Sequence, residues 1–523
     1  MSIAIVGYTG FVGSNLLQFY KFDYFYNSKN FSEASNMTFD ELYFCGVPAV
    51  KWKANKYPQE DIDVIDSIKE ILKTIKVNRI VLISTIDVYE DVDREYAEDY
   101  DCDWVINHHY GRNRYMFEYF VKNHFENYNI IRLPALFGKG LKKNVIYDLI
   151  NNNQIDKIPI NSLFQWYDLN WLKKDIDLII QNDIKICNLF TEPLRTREIT
   201  NLFHYEANSY YNNEKEMIYN CKTNYASLFN CDVSGYVRNK DDVLRNIKSY
   251  IESAHIKSSN LCVSNICIKH ISQFQFACIL KLYGIKNVQI APTSLIGDWK
   301  NIDTLDVSMF TENEINIYSF QSIAYGLNDL NIFTSRSEEL MTHLRKVVDC
   351  ASRYGVKILV FGCPRNRKII DIDDDNDTVF IKFFRELGEY CKEKNIIICI
   401  EPNAKEYGCN YLNKVEHGGV IVNKIDNSNI KLMVDLGNII MENDDISMAR
   451  KYSNVLYNID IAQPKMADLS NPDELNSSFV NIIKDIGYNN NINLEMILNA
   501  ENSDIELTLL SQSLSNFIHL YSK

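Results

Sequence analysis

Between residue 261 and the C-terminus, short apolar runs recur at a regular interval. They are LCVSNICI, NVQIAP, INIYSFQS, VKILVFG, IIICIEPN, IKLMVDLG, VLYNIDIA and INLEMIL. Runs of this length, rich in β-branched residues and bounded by polar or turn-forming ones, read as strands buried on both faces. Segments with helical periodicity separate most of them, such as SEELMTHLRKVVDCASRYG and TVFIKFFRELGEYCKEKN. Parallel strands need such crossovers, and eight strand–helix units in roughly 260 residues match the size of a (β/α)8 TIM barrel.

A barrel of this kind places its chemistry at the C-terminal ends of the strands. The fifth run ends in Glu401, the sixth in Asp435, the seventh near Asp460, and the eighth contains Glu495. Each acid is embedded in apolar sequence. Buried carboxylates gathered at one mouth repel one another unless a cation joins them. Oxygen donors favour a hard divalent ion, Mn2+ or Mg2+. After the fourth run comes FGCPRNRK, whose Arg365, Arg367 and Lys368 are expected to project from a loop on the same face, where paired guanidiniums suit phosphate. Gln321 ends the third run and Asn265 lies in the first; both are candidates for substrate hydroxyls.

The first half follows a different plan. Residues 1 to about 250 alternate apolar runs (SIAIVG, ELYFCG, RIVLIST, YNIIRLP) with helical stretches, which suits a doubly wound parallel sheet. The opening run leads into GYTGFVG. Gly7 permits a tight turn, Gly10 lets the backbone approach a pyrophosphate, and Gly13 lets the helix pack close to the sheet. Thr9, Phe11 and Val12 stand between these glycines as further cofactor contacts. The ribose partner is expected at the end of the second strand, in YFYNSKN. Asn27, Ser28 and Lys29 stand there without an acid, which leans toward NADP over NAD. The expected boundaries are 1–255 for a Rossmann domain with a small substrate subdomain and 261–523 for the barrel, with IKSSN (256–260) as the junction.

The chain has 523 residues and a net charge of -14, which argues against nucleic acid as a partner. Thirteen cysteines are scattered without a CxxC pair, as expected of reduced thiols in a cytoplasmic protein. No signal-peptide pattern and no membrane-length apolar run is visible. Oligomeric state cannot be read from the sequence.

Two resemblances follow from these motifs. GYTGFVG, RIVLISTIDVYED (79–91), HHYGRNRYMFEYFV (108–121), IIRLPALFG (130–138) and NLFTEP (188–193) together resemble the extended short-chain dehydrogenase/reductase family of nucleotide-sugar epimerases, dehydratases and reductases. The resemblance implies Thr85 and Tyr110 against a nicotinamide. Arg114 stands where that family has a lysine that lowers the tyrosine pKa. Ile86 and Asp87 follow Thr85 where the dehydratases carry Asp-Glu, so elimination of water is not expected.

IEPN, VDLGN and NLEM resemble the sugar phosphate isomerase/epimerase family, the xylose-isomerase-like barrels. That resemblance implies Glu401, Asp435 and Glu495 as metal ligands, with the two glutamates also moving protons. Asp460, in NIDIAQP, occupies the family's metal-histidine position, and Asn438 stands where the family has another histidine. Multi-zinc nucleases of related barrels need histidines at strand ends. This half has only His270, His343, His417 and His519, none of which ends a strand.

The combined expectation is a bifunctional enzyme acting on a nucleotide sugar or sugar phosphate, in the making of a surface polysaccharide precursor. The other expectation is that one half is catalytically silent and serves as a binding or assembly platform.

Overall fold

The computed structural model describes residues 1–203, 216–254, 260–370 and 375–522. The chain divides into two compact units, Met1–His255 and Ile256–Lys523. The expected junction IKSSN lies largely outside the described residues.

The N-terminal unit is built on a six-stranded, wholly parallel sheet. Its strands lie in the order Tyr24–Tyr26, Ile3–Val6, Thr38–Phe44, Lys76–Thr85, Tyr128–Leu133 and Ile186–Asn188. The strand order reverses beside Ile3–Val6, and GYTGFVG begins at that strand's C-terminal end. Ala4, Val6, Phe39, Leu42, Phe44, Ile80 and Leu82 pack with Phe117 and Val121 of the helix His109–His124 on one face. These strands are covered on both sides, which is why they read as continuous apolar runs.

The C-terminal unit is a closed barrel of eight parallel strands: Leu261–Ser264, Asn287–Ile290, Asn316–Phe320, Ile358–Phe361, Ile397–Ile400, Ile430–Asp435, Leu456–Ile461 and Ile492–Leu494. The last pairs with the first, Leu261 beside Ile492, so no sheet edge remains. Every strand falls within one of the eight apolar runs. The register sets Asp435 opposite Asp460, and Asp460 opposite Asn493. Adjacent staves therefore bring polar groups to the same level of the barrel. Among the described residues, no helix is long and apolar enough to cross a membrane.

Candidate functional site

A cavity of about 400 Å³ opens at the C-terminal end of the barrel strands. Its walls include Glu401, Asp435 and Glu495, together with Gln321, Asn403, Asn438, Tyr407 and Arg365. Glu401 directly follows the strand Ile397–Ile400, Asp435 closes Ile430–Asp435, and Glu495 directly follows Ile492–Leu494. These three acids thus reach one space from the C-terminal ends of their strands.

Each carboxylate is held in a strained electrostatic setting. Burial, with Asp435 and Asp460 adding repulsion, pushes the Glu401 carboxyl well above the usual range, although the Arg367 guanidinium opposes the shift. Burial raises Asp435 to about 7, against hydrogen bonds from the Asn438 and Gly437 backbone. Glu495 is pushed up by burial and then by Asp460, Glu401 and Asp435. Glu401 Oε1 accepts from Asn403 Nδ2 and Asn438 Nδ2, both at 2.9 Å. Asp435 Oδ1 accepts from the Asn438 backbone N–H at 2.6 Å, whereas its Oδ2 is buried without a partner.

These observations test the fit of a metal ion. The donors are carboxylate oxygens and neutral amides, the kind that suits a hard divalent cation. The orphaned Asp435 oxygen and the mutual repulsion of the carboxylates are what such an ion would relieve. The donor chemistry fits. As placed, however, no group of three His, Cys, Asp or Glu side chains among the described residues is arranged to hold an ion.

Asp460 stands apart from the other three. It is buried and not part of the cavity wall, and its oxygens accept from Gln289 Nε2 at 2.9 Å and Asn458 Nδ2 at 3.0 Å. Burial and the neighbouring Asp435 raise it to about 8. A protonated carboxyl among amides is satisfied without a cation, so the structure sets this residue in the barrel interior, beneath the mouth.

The substrate candidates divide. Asn438 lines the cavity while bracing Glu401, and its Oδ1 also accepts from the Ala404 backbone N–H at 2.8 Å. Gln321 reaches the cavity from an amide network, donating to Ser264 Oγ at 2.8 Å and accepting from Gln289. Arg365 is exposed and, among the described residues, is the one cation of the cavity wall. Arg367 corrects the expectation of an arginine pair. It is fully buried and donates to the backbone carbonyls of Glu401 (2.6 Å), Tyr411 and Phe361 and to Asn403 Oδ1 (2.7 Å). Its guanidinium fastens the strand end that carries Glu401, so it cannot also reach a phosphate. Asn265 is likewise inside, donating to Ser294 Oγ at 2.8 Å and accepting from the Ala291 N–H. Tyr325, Tyr407 and Asn403 were not singled out from sequence. Asn403 had a signal, standing two residues after Glu401 in IEPN.

In the N-terminal unit Gly7, Gly10 and Gly13 form a tight turn between the first strand and its helix. Gly7 has a φ of +87° and donates to the Tyr26 carbonyl at 2.7 Å. A Cβ at Gly13 would run into the Gly7 carbonyl oxygen. Gly10 caps the short helix Phe11–Leu16, Thr9 is exposed beside it, and Phe11 and Val12 are half-buried in its first turn. Asn27 Nδ2 donates to Tyr8 Oη at 3.2 Å, tying the second strand's end to the glycine turn, and Ser28 and Lys29 are exposed next to it.

Thr85 ends its strand and accepts the Asp87 N–H at 3.2 Å. Tyr110 is buried in the first turn of His109–His124, where burial raises its pKa against the opposing Arg114. Arg114 donates to both oxygens of Asp61, at 2.9 and 3.0 Å, and to the Pro48 carbonyl. Its side chain is committed to that buried pair.

Residues 284–512 match the family described as "Xylose isomerase-like TIM barrel", so the C-terminal unit carries a barrel of that class. No curated protein matches the chain by sequence. Solved structures similar to part of it include D-psicose 3-epimerase with D-tagatose from Clostridium cellulolyticum H10, at 14% identity and a TM-score of 0.42, covering 50% of this chain and 100% of that one. A 3-keto-D-glucoside 4-epimerase from E. coli is 13% identical with a TM-score of 0.40, covering 48% and 98%. An AP endonuclease, family 2, from Brucella melitensis is 14% identical with a TM-score of 0.40, covering 48% and 98%.

Proposed function

We propose that the C-terminal unit is a sugar isomerase or epimerase that works by proton transfer at the barrel mouth. We further propose that the N-terminal unit is a Rossmann domain holding NADP or NAD. The observation that carries the first reading is that Glu401, Asp435 and Glu495 line one cavity of a xylose isomerase-like barrel, with a buried Asp435 oxygen unpartnered.

In this reading Glu401, Asp435 and Glu495 would hold a Mn2+ or Mg2+ ion, which when bound acts as a Lewis acid toward a sugar carbonyl and its neighbouring hydroxyl. Glu401 and Glu495 come from the fifth and eighth strands, so they approach a substrate from different staves. One removes the proton next to the carbonyl and the other returns one. A carboxyl whose pKa is raised by burial is suited to both tasks near neutral pH. Return to the opposite face of the same carbon is epimerisation, and return to the neighbouring carbon is aldose–ketose isomerisation. Asn403 and Asn438 orient Glu401 through its Oε1. Arg365, exposed on the cavity wall, suits an anionic group of a sugar phosphate or nucleotide sugar.

The test is proton exchange. The full chain with Mn2+ in D2O is incubated with D-fructose and with D-fructose 6-phosphate, and deuterium at carbon is followed by NMR. Incorporation that disappears in Glu401→Gln and in Glu495→Gln supports the reading. Incorporation that survives both variants sinks it.

A second reading has its own observation. Arg114 is occupied by Asp61 and Pro48, so the N-terminal unit could bind a dinucleotide without redox chemistry and serve as a platform. Binding of NADPH or NADH by fluorescence, with no hydride transferred to any sugar of the panel, is the outcome that favours it.

A further inference from the structure

Below the cavity the barrel interior is polar, although branched apolar side chains usually fill such a barrel. Gln289 on the second strand reaches Asp460 on the seventh, its Nε2 donating to Asp460 Oδ2 at 2.9 Å. Those two strands are not neighbours, so the bond crosses the inside of the barrel. Gln289, Ser264, Ser319, Gln321 and Asp460 are all buried. Of the two glutamines, Gln321 belongs to the cavity wall and Gln289 does not.

The hydrogen bonds among these residues fix which way each amide faces. Gln289 Oε1 accepts from Ser319 Oγ at 2.5 Å, and Asp460 Oδ1 accepts from Asn458 Nδ2 at 3.0 Å. Gln289 Nε2 has two hydrogens, one for Asp460 Oδ2 and one for Gln321 Oε1. Gln321 Nε2 places one hydrogen on Ser264 Oγ at 2.8 Å. Turning Gln321 end over end would set its Nε2 against Gln289 Nε2, donor against donor.

The other hydrogen of Gln321 Nε2 remains for the cavity, whose wall Gln321 shares with Glu495. Burial and the neighbouring acids raise the Glu495 carboxyl, and a hydrogen-bonding contact with Gln321 opposes them, as an N–H does and a carbonyl oxygen does not. An inverted Gln321 would turn its oxygen on that carboxylate. A core filled only for volume would need neither the two glutamines nor the polarity they share.

We propose that Gln289 is a positioning residue for the barrel site: anchored by Asp460 and Ser319, it holds Gln321 with an Nε2–H toward the cavity, where Gln321 selects a ligand oxygen that accepts. The ligand class is a sugar with a carbonyl or hydroxyl oxygen close to the carbon that Glu495 serves. A Gln321 carbonyl at that place would repel both that oxygen's lone pairs and Glu495. The role given to Glu495 rests on the proton-transfer reading, whereas the orientation of Gln321 does not.

The test observes the full chain, labelled with 15N at glutamine side chains, by NMR in EDTA, with the Gln321 amide pair assigned by its loss in Gln321→Met. Gln289→Met keeps the volume and removes both donor and acceptor. It is expected to shift the Gln321 pair and to speed its exchange with solvent about tenfold or more, with the remaining glutamine signals in place as the check on folding. Ser319→Ala, a smaller change, is expected to act in the same direction, and it decides alone if Gln289→Met does not fold. A Gln321 pair that stays unmoved overturns the proposal. On Mn2+-loaded protein, Gln289→Met is expected to slow deuterium exchange into the sugar about tenfold, and to slow it no further in the Gln321→Met background. Equal slowing in both backgrounds shows that Gln289 does not act through Gln321 and overturns the proposal as well. A wild type that exchanges no deuterium sinks the proton-transfer reading alone, and the Gln321 amide pair still decides the orientation.

Discussion

Arg114 sits over Tyr110, its guanidinium carbon 4.5 Å from the ring centroid, while its N–H groups grip Asp61 and the Pro48 carbonyl. Both members of the Arg114–Asp61 pair are almost wholly buried, at 5% and 7% side-chain exposure. Removing one partner of such a pair strands a desolvated charge. Asp61→Ala is therefore expected to lose about 3–5 kcal/mol of stability in urea or guanidinium unfolding. A loss under about 1 kcal/mol would show that Arg114 has another partner to turn to, and would reopen it as a cofactor contact.

Gly13 tests the glycine turn separately. A Cβ there meets the backbone carbonyl of Gly7, and backbone cannot swing aside as a side chain can. Gly13→Ala is expected to cost about 1–3 kcal/mol and to abolish NADPH binding measured by fluorescence. Thr9→Ala, at an exposed position in the same turn, should leave stability within about 0.5 kcal/mol. If Gly13→Ala binds NADPH as wild type does, the turn is not the place where a dinucleotide lies.

Much of this architecture was readable in advance for a definite reason. Strands covered on both faces must be apolar throughout, so IIICI and IKLMV announce themselves, and an acid that ends such a run is conspicuous. What could not be read was which partner each polar group finds. R-N-R gives no sign that Arg365 faces solvent while Arg367 turns inward, because the acceptors of Arg367 lie on Glu401, Asn403 and Tyr411, in later segments. Asp460 stands in an apolar run as the other acids do, and its partner Gln289 lies 171 residues away. Pattern reveals the element and its buried face. Contacts between distant elements belong to the tertiary fold.

Asp460 and Asp435 make stability depend on pH in an unusual direction. Their folded-state values of about 8 and about 7 lie far above the ~3.9 of an unfolded aspartate. Between those limits the native state holds more protons than the unfolded chain, so stability falls as pH rises and levels off above the folded values. The penalty is absent below about pH 4 and complete above about pH 8. In EDTA, the barrel's unfolding free energy is expected to drop from pH 5 to pH 8. Asp460→Asn should flatten that slope and be more stable than wild type at pH 8 by a few kcal/mol. Equal slopes in the two proteins would show that Asp460 is ionised in the fold.

Gly362 separates the stability of the barrel mouth from its chemistry. It lines the cavity, and a Cβ built on it would collide with Glu401 Oε2, the tip of a flexible side chain. The collision can be relieved by swinging the carboxylate, so Gly362→Ala is expected to change stability by less than about 1 kcal/mol. The same swing pulls Glu401 Oε1 away from Asn403 and Asn438, which now fix it at 2.9 Å each. A ligand misplaced by this much is expected to weaken Mn2+ binding about tenfold or more, read by calorimetry on the full chain. Deuterium exchange into the sugar should fall further than binding does, because proton transfer needs the carboxylate at hydrogen-bond distance whereas the ion can adjust. A Gly362→Ala protein that binds Mn2+ and exchanges deuterium like wild type would mean that Glu401 is not the group on which either step depends.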